Sequence, residues 1–334
     1  MLVVVQFQRP FNKSYYSLER IFATLRSVTT SCKIILHVCP CDSRGIVKRL
    51  WNMFDAVMTQ GDVNHITGDV HYLALALRGR RTLLTVHDCS GMQSGSALKR
   101  WLYRWIWLKL PVWRSRLVTV VSEQTKQDLM RYTSCCEGKI RVIPNPVGAG
   151  FRESPRDFPA SPPTILQIGT SANKNVDRLI AALSGIECKL EIVGPTSGPV
   201  IHALNNSGIA YRCSASLTDS ELVAKYVNAD VVTFCSIYEG FGMPIIEAQA
   251  VGRPVVTSNI EPMKSVCGGA ACLVDPYDVG SIRDGVNRVI HDSAYRKALI
   301  AEGLVNVKRF RPDAIAESYC SLYRELAGDV IAGR

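Results

Sequence analysis

The stretch CSIYEGFGMPIIEAQAVGRP, residues 235–254, predicts a strand, a tight turn and a helix in close succession. An apolar, β-branched run at 231–234 precedes it, and two glycines follow before Ile245 begins a helix-forming segment with Pro244 at the first helical position. The amides of residues 240–243 would then lie at a helix amino terminus, where unpaired N–H groups and the helix dipole favour an anion. The pattern therefore predicts a site for a phosphorylated ligand.

Two acidic residues flank this predicted anion site. Glu239 lies on the loop before the helix and Glu247 lies about one turn inside it. Side chains of a helix lean back toward its amino end, so both carboxylates are expected to face the same crevice. The alternative interpretation is a capped surface helix with a glycine turn and two solvated glutamates, because short phosphate-loop patterns also arise by chance.

The full pattern, SxxEGFGxPxxEAxAxGxPV, resembles the donor-site signature of the retaining GT-B glycosyltransferases of family 4, also called glycosyl transferases group 1. The resemblance is detailed from Thr164 onward and weaker before it. It implies an α/β protein with the GT-B architecture, in which two doubly wound Rossmann-like domains face each other across a cleft. It also implies that Glu239 holds the hydroxyls of the transferred sugar and that Glu247 holds those of the ribose.

Length and charge narrow the choices further. A chain of 334 residues exceeds one ordinary core, so two domains are expected. The net charge of +10 indicates an anionic partner: a nucleotide, an acidic lipid surface or a nucleic acid.

The 12 cysteines are scattered, as in proteins with reduced thiols, and no Cys or His cluster has zinc-ligand spacing, so no metal site is expected. The first residues are typical of a strand rather than of a signal peptide, and no membrane span is expected.

Two runs of short apolar strands alternate with helical segments, which favours parallel sheets covered by helices. The predicted strands are 2–7, 33–38, 63–66, 82–86, 117–121 and 140–143, then 164–168, 190–193, 209–212, 231–234, 254–257 and 271–274. Residues 144–163 are rich in proline and polar residues, which is typical of a linker. The expected domains are 1–147, which would bind the acceptor, and 148–311, which would bind the nucleotide sugar. A final helix, 312–334, would pack back on the first domain, as the resemblance implies.

The first half offers one strong candidate residue. His87 follows the strand at 82–86, at the carboxyl end where parallel sheets present ligand-contacting groups, and the THD sequence there resembles the family's active-site histidine. A hydrogen-bonded loop histidine is the alternative. Arg9 and Ser14 are weaker acceptor-side candidates, because the loop from 8 to 16 has no glycine where many family members carry a Gly-Gly pair. Asp88, next to His87, is a further weak candidate on the acceptor side. His65 and His71 are expected to be structural.

A second loop follows the first strand of the second half. Gly169 permits close approach of the backbone at that strand end, and Lys174 can reach phosphate oxygens. Lys174 matches the family's lysine in the G-x-x-x-x-K-N pattern, which contacts the donor diphosphate. The predicted catalytic residues are Glu239, His87 and Lys174, and those that bind the donor are Gly169, Thr170, Asn173, Lys174, Gly240, Phe241, Gly242, Met243 and Glu247.

The segment 99–114, KRWLYRWIWLKLPVWR, is the densest aromatic and basic stretch of the chain. Such a helix can lie in a membrane interface, with its aromatic rings at the level of the headgroups. Its apolar residues occur on nearly all sides, which equally favours a buried helix that packs within its domain. Both interpretations remain open from the sequence.

The favoured function is transfer of a hexose, of the mannose or glucose type, from a nucleotide-diphosphate sugar to a glycan or lipid-linked acceptor, with retention at the anomeric carbon. We expect no cofactor, no metal and no nucleic-acid partner, and a cytoplasmic location that includes the inner face of the membrane. A nucleotide-sugar epimerase of the same fold and a non-catalytic module that binds anionic surfaces are the alternatives. A dehydrogenase is disfavoured because no G-x-G-x-x-G motif follows the first strand.

Overall fold

The computed structural model describes residues 1–10, 17–93, 95–159 and 162–331. The chain divides into two compact units, one made of Met1–Pro146 with Pro312–Arg334 and the other of Val147–Arg311. The acceptor-side candidate Ser14 lies outside the described residues.

The first unit is built on a parallel sheet of six strands. These strands are β1 (Val3–Gln8), β2 (Lys33–Val38), β3 (Val63–Ile66), β4 (Thr82–Val86), β5 (Leu117–Val120) and β6 (Ile140–Val142). Their order across the sheet is β2-β1-β3-β4-β5-β6. The direction in which successive strands are added to the sheet therefore reverses between β1 and β3. In open α/β sheets this reversal opens a crevice at the carboxyl ends of the strands.

The second unit repeats this plan with a sheet of its own. Its strands are β7 (Thr164–Ile168), β8 (Lys189–Val193), β9 (Ala210–Ser214), β10 (Val231–Phe234), β11 (Val255–Ser258) and β12 (Cys272–Val274). The order is β12-β11-β10-β7-β8-β9, and the reversal falls between β7 and β10. The prediction of two doubly wound α/β halves is confirmed, and each of the twelve predicted strands corresponds to an observed one.

Helices connect successive strands in both units. The first unit contains α1 (Ser17–Val28), α2 (Ile46–Met58), α3 (Ala97–Leu102), α4 (Leu110–Arg114), α5 (Glu123–Thr133) and the last helix of the chain, α13 (Pro312–Ile331). The second unit contains α6 (Val176–Leu183), α7 (Gly198–Ser207), α8 (Asp219–Asn228), α9 (Met243–Val251), α10 (Met263–Cys267), α11 (Val279–His291) and α12 (Ser293–Asn306). Among the described residues, no helix is both long and apolar enough to cross a bilayer.

Helix α13 belongs to the first unit because its aromatic residues enter that unit's core. Tyr323 is fully buried and its hydroxyl is 2.7 Å from Nδ1 of His65, while Tyr319 packs edge-on against Phe22 of α1. The other ring nitrogen of His65 is 2.7 Å from the Thr85 hydroxyl. Burial lowers the pKa of His65 to about 3, so this histidine is a neutral residue of the core.

The structure refines three local predictions. Helix α9 begins at Met243, one residue before the Pro244 that was expected at its first position, so Pro244 is its second residue. The proline is tolerated because this amide has no partner within the helix either. The predicted linker lies along the second unit, where Arg156 Nε is 3.0 Å from Asp230 Oδ1. The segment 99–114 is α-helical only at its two ends, in α3 and α4. Between them, Tyr103–Lys109 forms a π-helical stretch.

Candidate active site

Two loops meet at the point where the second sheet reverses. One loop follows β7 and contains Gly169 and Lys174, and the other follows β10 and contains Glu239. Because β7 and β10 are adjacent parallel strands, their carboxyl ends lie side by side and bring the loops together. The two sequence segments that predicted a donor site are therefore neighbours in the fold.

Asparagines and backbone groups tie these two loops together. The amide of Ile237 donates to the carbonyl of Asn173 at 2.9 Å, and the Asn173 side chain donates back to the carbonyl of Tyr238 at 2.9 Å. Asn175 is buried in the left-handed backbone conformation, and its side chain donates to the carbonyls of Cys235 and Pro276 at 3.0 and 2.6 Å. These bonds fix the loops before any ligand binds, which lowers the cost of ordering them.

The centre of the site is an ion pair. Lys174 Nζ lies 2.6 Å from Glu239 Oε1, and both side chains are largely buried, with 18% and 14% of their surfaces exposed. Asn173 donates to the same carboxylate oxygen at 3.1 Å. The Lys174 ammonium also lies 4.6 Å from the centre of the Phe234 ring. Two predicted catalytic residues are thus in direct contact, which their separation in the sequence could not indicate.

Gly169 allows Lys174 to take this position. The glycine has φ of +85°, and a Cβ at this residue would lie 2.8 Å from Lys174 Cε. Any larger residue would therefore strain the backbone and displace the lysine chain. Beside it, the Thr170 hydroxyl donates to the carbonyl of Pro195 at 2.5 Å, so this predicted donor residue holds the neighbouring loop.

The amino end of α9 completes the charged side of the site. Gly242 caps the helix with φ of +121°, and Gly240 and Met243 flank it, partly exposed. The Phe241 side chain points away from solvent and packs edge-on against Phe310 at 5.6 Å between ring centres. Only the backbone of Phe241 is therefore available to a ligand, while its ring secures the loop.

Glu247 occupies a different environment from Glu239. Only 3% of its surface is exposed, and the hydroxyl of the fully buried Tyr226 donates to Glu247 Oε2 at 2.6 Å. Glu247 is therefore more deeply buried than Glu239, whose side chain is 14% exposed. Tyr226, on α8, was missed by the sequence analysis. The sequence did contain a signal for this contact, since Tyr226 lies one helical turn after the apolar Leu222 on the same face of α8. A tyrosine on the buried face of a helix needs a hydrogen-bond partner for its hydroxyl group.

In the first unit, His87 stands at the carboxyl end of β4, as its sequence position predicts. Its Nε2 is 3.0 Å from the carbonyl of Thr67, so Nε2 carries the proton of the neutral ring. Nδ1 is buried and has no hydrogen-bond partner among the residues that the structure describes. Burial lowers the pKa of His87 from the usual histidine value, which keeps the ring neutral. His87 thus carries an acceptor nitrogen that no described residue satisfies.

The weaker acceptor-side candidates have structural partners. Arg9 pairs with Glu19 and with Asp69, each at 2.7 Å, and Asp88 accepts a hydrogen bond from the amide of Ser90 at 2.8 Å. These contacts hold the loops around His87. In the described part of the chain, no group of three or more His, Cys, Asp or Glu side chains is arranged to hold a metal. All 12 cysteines carry free thiols.

Two family models match this chain. The family described as glycosyl transferases group 1 matches residues 152–304, and the one described as glycosyltransferase family 4 matches residues 41–149. The two matches fall on the two halves of the chain. The chain belongs to the GT-B glycosyltransferases of group 1 and family 4.

Solved structures share the whole fold. A sucrose-phosphate synthase from Thermosynechococcus elongatus aligns with a TM-score of 0.79 at 20% identity, covering 98% of this chain and 99% of that one. HepE from Anabaena, solved in complex with UDP and glucose, aligns with a TM-score of 0.80 at 14% identity, covering 97% and 100%. At such identities the likeness establishes the GT-B fold.

Curated relatives align over shorter stretches. The O-antigen chain mannosyltransferase B of Escherichia coli is 38% identical over 92 residues, which are 28% of this chain and 24% of that protein. The serotype-specific mannosyltransferase WbdA of the same species is 26% identical over 221 residues, 59% of this chain and 27% of that protein. The chain thus spans about a quarter of the length of these first relatives.

Proposed function

We propose that this protein transfers a hexose, of the mannose or glucose type, from a nucleotide-diphosphate sugar to a glycan or lipid-linked acceptor, with retention at the anomeric carbon. The observation that carries the proposal is the contact between Lys174 and Glu239 at the amino end of α9. A cation and a helix terminus suit a diphosphate, and a carboxylate beside them suits sugar hydroxyls.

The Lys174 ammonium can serve both groups at once. It has three N–H donors, and its bond to Glu239 leaves donors for phosphate oxygens. Negative charge develops on the leaving diphosphate as the bond to the anomeric carbon breaks, and Lys174 with the amides of α9 would stabilise that charge. Glu239 would hold the sugar while the ring flattens. The acceptor hydroxyl forms the new bond from the same face, and its proton passes to the departing diphosphate oxygen.

In the first unit, the neutral His87 is assigned to the transferred sugar or to the acceptor. Its Nδ1 accepts hydrogen bonds and lacks a partner among the described residues, so a sugar hydroxyl would satisfy it. The mannosyltransferase relatives support a mannose-type donor, and the O-antigen enzyme among them supports a role in bacterial surface polysaccharide assembly. HepE, whose structures contain UDP, supports a nucleoside diphosphate as the leaving group.

The test begins with thermal shift measurements on UDP, GDP, ADP and their hexose conjugates. A ligand that binds only the folded state stabilises it by an amount that grows with concentration, so the correct base raises Tm progressively. The selected donor is then incubated with glycan acceptors and the products are analysed. A new α-linked sugar from an α-linked donor supports retention. Release of an isomerised nucleotide sugar without transfer would instead establish the epimerase.

The same transfer assay addresses the metal. Since the proposal gives the diphosphate charge to Lys174 and to α9, turnover in excess EDTA should equal turnover without it. Loss of turnover that magnesium or manganese restores would contradict this part of the mechanism while leaving the transfer itself established.

A further inference from the structure

Helix α2 of the first unit turns a row of apolar side chains toward solvent. The exposed fractions are 74% for Ile46, 81% for Val47, 58% for Leu50, 57% for Trp51, 61% for Phe54, 42% for Val57 and 73% for Met58. Scattered exposed apolar residues are ordinary in soluble proteins, but a contiguous row of large ones marks an interaction surface.

This row is not a core face that failed to pack, because the opposite face of α2 is fully engaged. Asn52 and Ala56 are completely buried there, and the Asn52 side chain donates to Cys41 O and to Tyr72 Oη, both at 2.8 Å. Asp55 anchors the helix to β2 through His37 Nε2 at 2.6 Å. The polar inner contacts fix the rotation of the helix, so its apolar row must face outward.

The helical segment 97–114 contacts α2 and also turns large apolar side chains toward solvent. The Arg49 guanidinium of α2 stacks over the Trp107 ring at 5.1 Å, which joins the two elements. Along the segment, Leu98 is 65% exposed, Trp101 54% and Trp113 70%. All five tryptophans of the chain, at positions 51, 101, 105, 107 and 113, belong to these two elements. Tryptophan is the residue most characteristic of the membrane–water interface.

The charge of this surface is positive. The sequence from 97 to 116 has no acidic residue and contains Lys99, Arg100, Arg104, Lys109, Arg114 and Arg116. At the end of α4, a cavity of about 510 Å³ beside Trp113 is lined by further cations, among them Arg80, Lys139 and Arg141. Its one carboxylate, Glu325, lies 3.6 Å from Arg141. A partner must therefore be apolar and anionic at the same time.

We propose that the outward row of α2, together with the exposed part of segment 97–114, docks the first unit onto an anionic lipid bilayer. The apolar row of α2 enters the interfacial layer, and the basic residues of 97–116 and of the cavity contact lipid phosphates. A second copy of the chain would provide apolar area but would bring the same cations together, which disfavours that association. An anionic bilayer satisfies both features. The inference does not depend on the proposed transfer reaction.

The test uses vesicles of phosphatidylglycerol and phosphatidylcholine, with pure phosphatidylcholine vesicles for comparison. The wild-type chain should co-sediment with the anionic vesicles, and added salt should weaken the binding because it screens the basic residues. Brominated phosphatidylcholine mixed into the anionic vesicles should quench the tryptophan fluorescence, since Trp51, Trp101 and Trp113 are exposed on the proposed surface. The double substitution Trp51→Ser and Phe54→Ser should reduce partitioning by roughly tenfold or more.

The matched control replaces two equally exposed side chains of the second unit, Tyr277→Ser and Val305→Ser, which are 58% and 64% exposed. This control should bind as the wild type does. Replacement of Lys99, Arg100 and Arg104 by Gln should weaken the salt dependence, because three of the basic residues of the surface are removed. Wild-type protein that stays in the supernatant, or an α2 double variant that binds as well as the control, overturns the proposal. A wild-type dimer that the α2 substitutions dissociate, with vesicle binding unchanged, would assign the surface to a second copy.

Discussion

The two sheets of this chain reverse in the same way, yet the candidate site residues at the carboxyl ends of their strands differ in charge. The crevice of the second unit is built on the ion pair between Lys174 and Glu239, whose partners are fixed by asparagines of the adjoining loops. The reversal point of the first unit is also charged, since Arg9 after β1 pairs with Asp69 after β3 at 2.7 Å, but the candidate residue at the end of β4, His87, is neutral. We therefore propose that the charged pair of the second unit binds phosphate and that the neutral histidine of the first unit binds hydroxyls.

The largest effect is expected from Lys174→Ala, which removes the cation of the charged site. The diphosphate loses the positive charge that attracts it, and the carboxylate of Glu239 loses the cation that neutralises it. The unpaired carboxylate then repels the phosphate groups. We expect kcat/KM to fall by roughly 100-fold or more, the scale of losing one electrostatic donor to a developing anion. Steady-state kinetics and calorimetry with nucleoside diphosphate would measure it.

The free nucleoside serves as the control for this substitution, because it carries no phosphate and should bind the variant almost normally. Lys297→Ala, at an exposed position of α12, controls for a general loss of positive charge. Equal weakening of nucleoside and nucleoside diphosphate would remove Lys174 from the phosphate site and with it the contrast between the two units.

Glu239→Gln tests whether, within the charged site, Glu239 acts on the sugar while Lys174 acts on the diphosphate. The substitution keeps the shape but removes the charge expected to act as positive charge grows at the anomeric carbon, so kcat should fall by about 10- to 100-fold. Binding of bare nucleoside diphosphate should be unchanged or tighter, because Lys174 is no longer neutralised by the carboxylate. Calorimetry that finds weaker nucleoside diphosphate binding in this variant would argue against the assignment to the sugar.

The buried, neutral histidines of the first unit predict that the stability of the protein depends on pH. The pKa of His65 is about 3 in the folded protein and 6.5 for an ordinary histidine, so below pH 6.5 the unfolded chain binds a proton that the folded chain does not. Stability from this group is present above pH 6.5 and is lost as the pH falls toward 3. Between pH 7 and pH 5 the loss from His65 alone should be about 2 kcal/mol.

Denaturant titrations at the two pH values would measure this change in the free energy of unfolding. His65→Gln should remove the part due to His65, about 2 kcal/mol, whereas His202→Gln, at an exposed histidine of the second unit, should leave the pH dependence in place. Since the pKa of His87 is also lowered by burial, His87→Gln should remove a further part. A pH dependence identical in wild type and His65→Gln would mean that the histidine is not buried in its neutral form.

The fold was predictable because its signals are local. Each strand is a short apolar run next to a turn, and Gly242 and Pro244 mark the start of α9 within two residues. Contacts that depend on packing were not predictable. The bond between Lys174 and Glu239 joins two loops 65 residues apart, and it requires β7 and β10 to be neighbours. In α2, the spacing of the apolar residues favours burial of the row that contains Leu50 and Phe54. The structure instead buries the opposite face, with Asn52 and Ala56. Cys41 and Tyr72 provide hydrogen-bond partners for the side-chain amide of Asn52 there.

The smallest effects concern Glu247, and here the structure changes what is expected of the sequence-based assignment. A carboxylate that binds ribose makes the same bonds in the ground state and in the transition state, so Glu247→Gln should raise KM for the donor with little change in kcat. Loss of a charged hydrogen bond is worth about 1.5–3 kcal/mol, which corresponds to a weakening of roughly tenfold or more.

Because the Tyr226 hydroxyl holds Glu247 Oε2 at 2.6 Å, Tyr226→Phe should produce the same kind of change in a milder form. It leaves the carboxylate in place but frees its orientation, so a rise in KM of about threefold is expected, near the lower limit for one neutral hydrogen bond. The two substitutions act on one interaction and should not be additive: the double variant should resemble Glu247→Gln alone. If Tyr226→Phe lowers Tm without moving KM, and Glu247→Gln does the same, then Glu247 is a buried structural carboxylate, and only the Lys174 and Glu239 side of the crevice belongs to the donor.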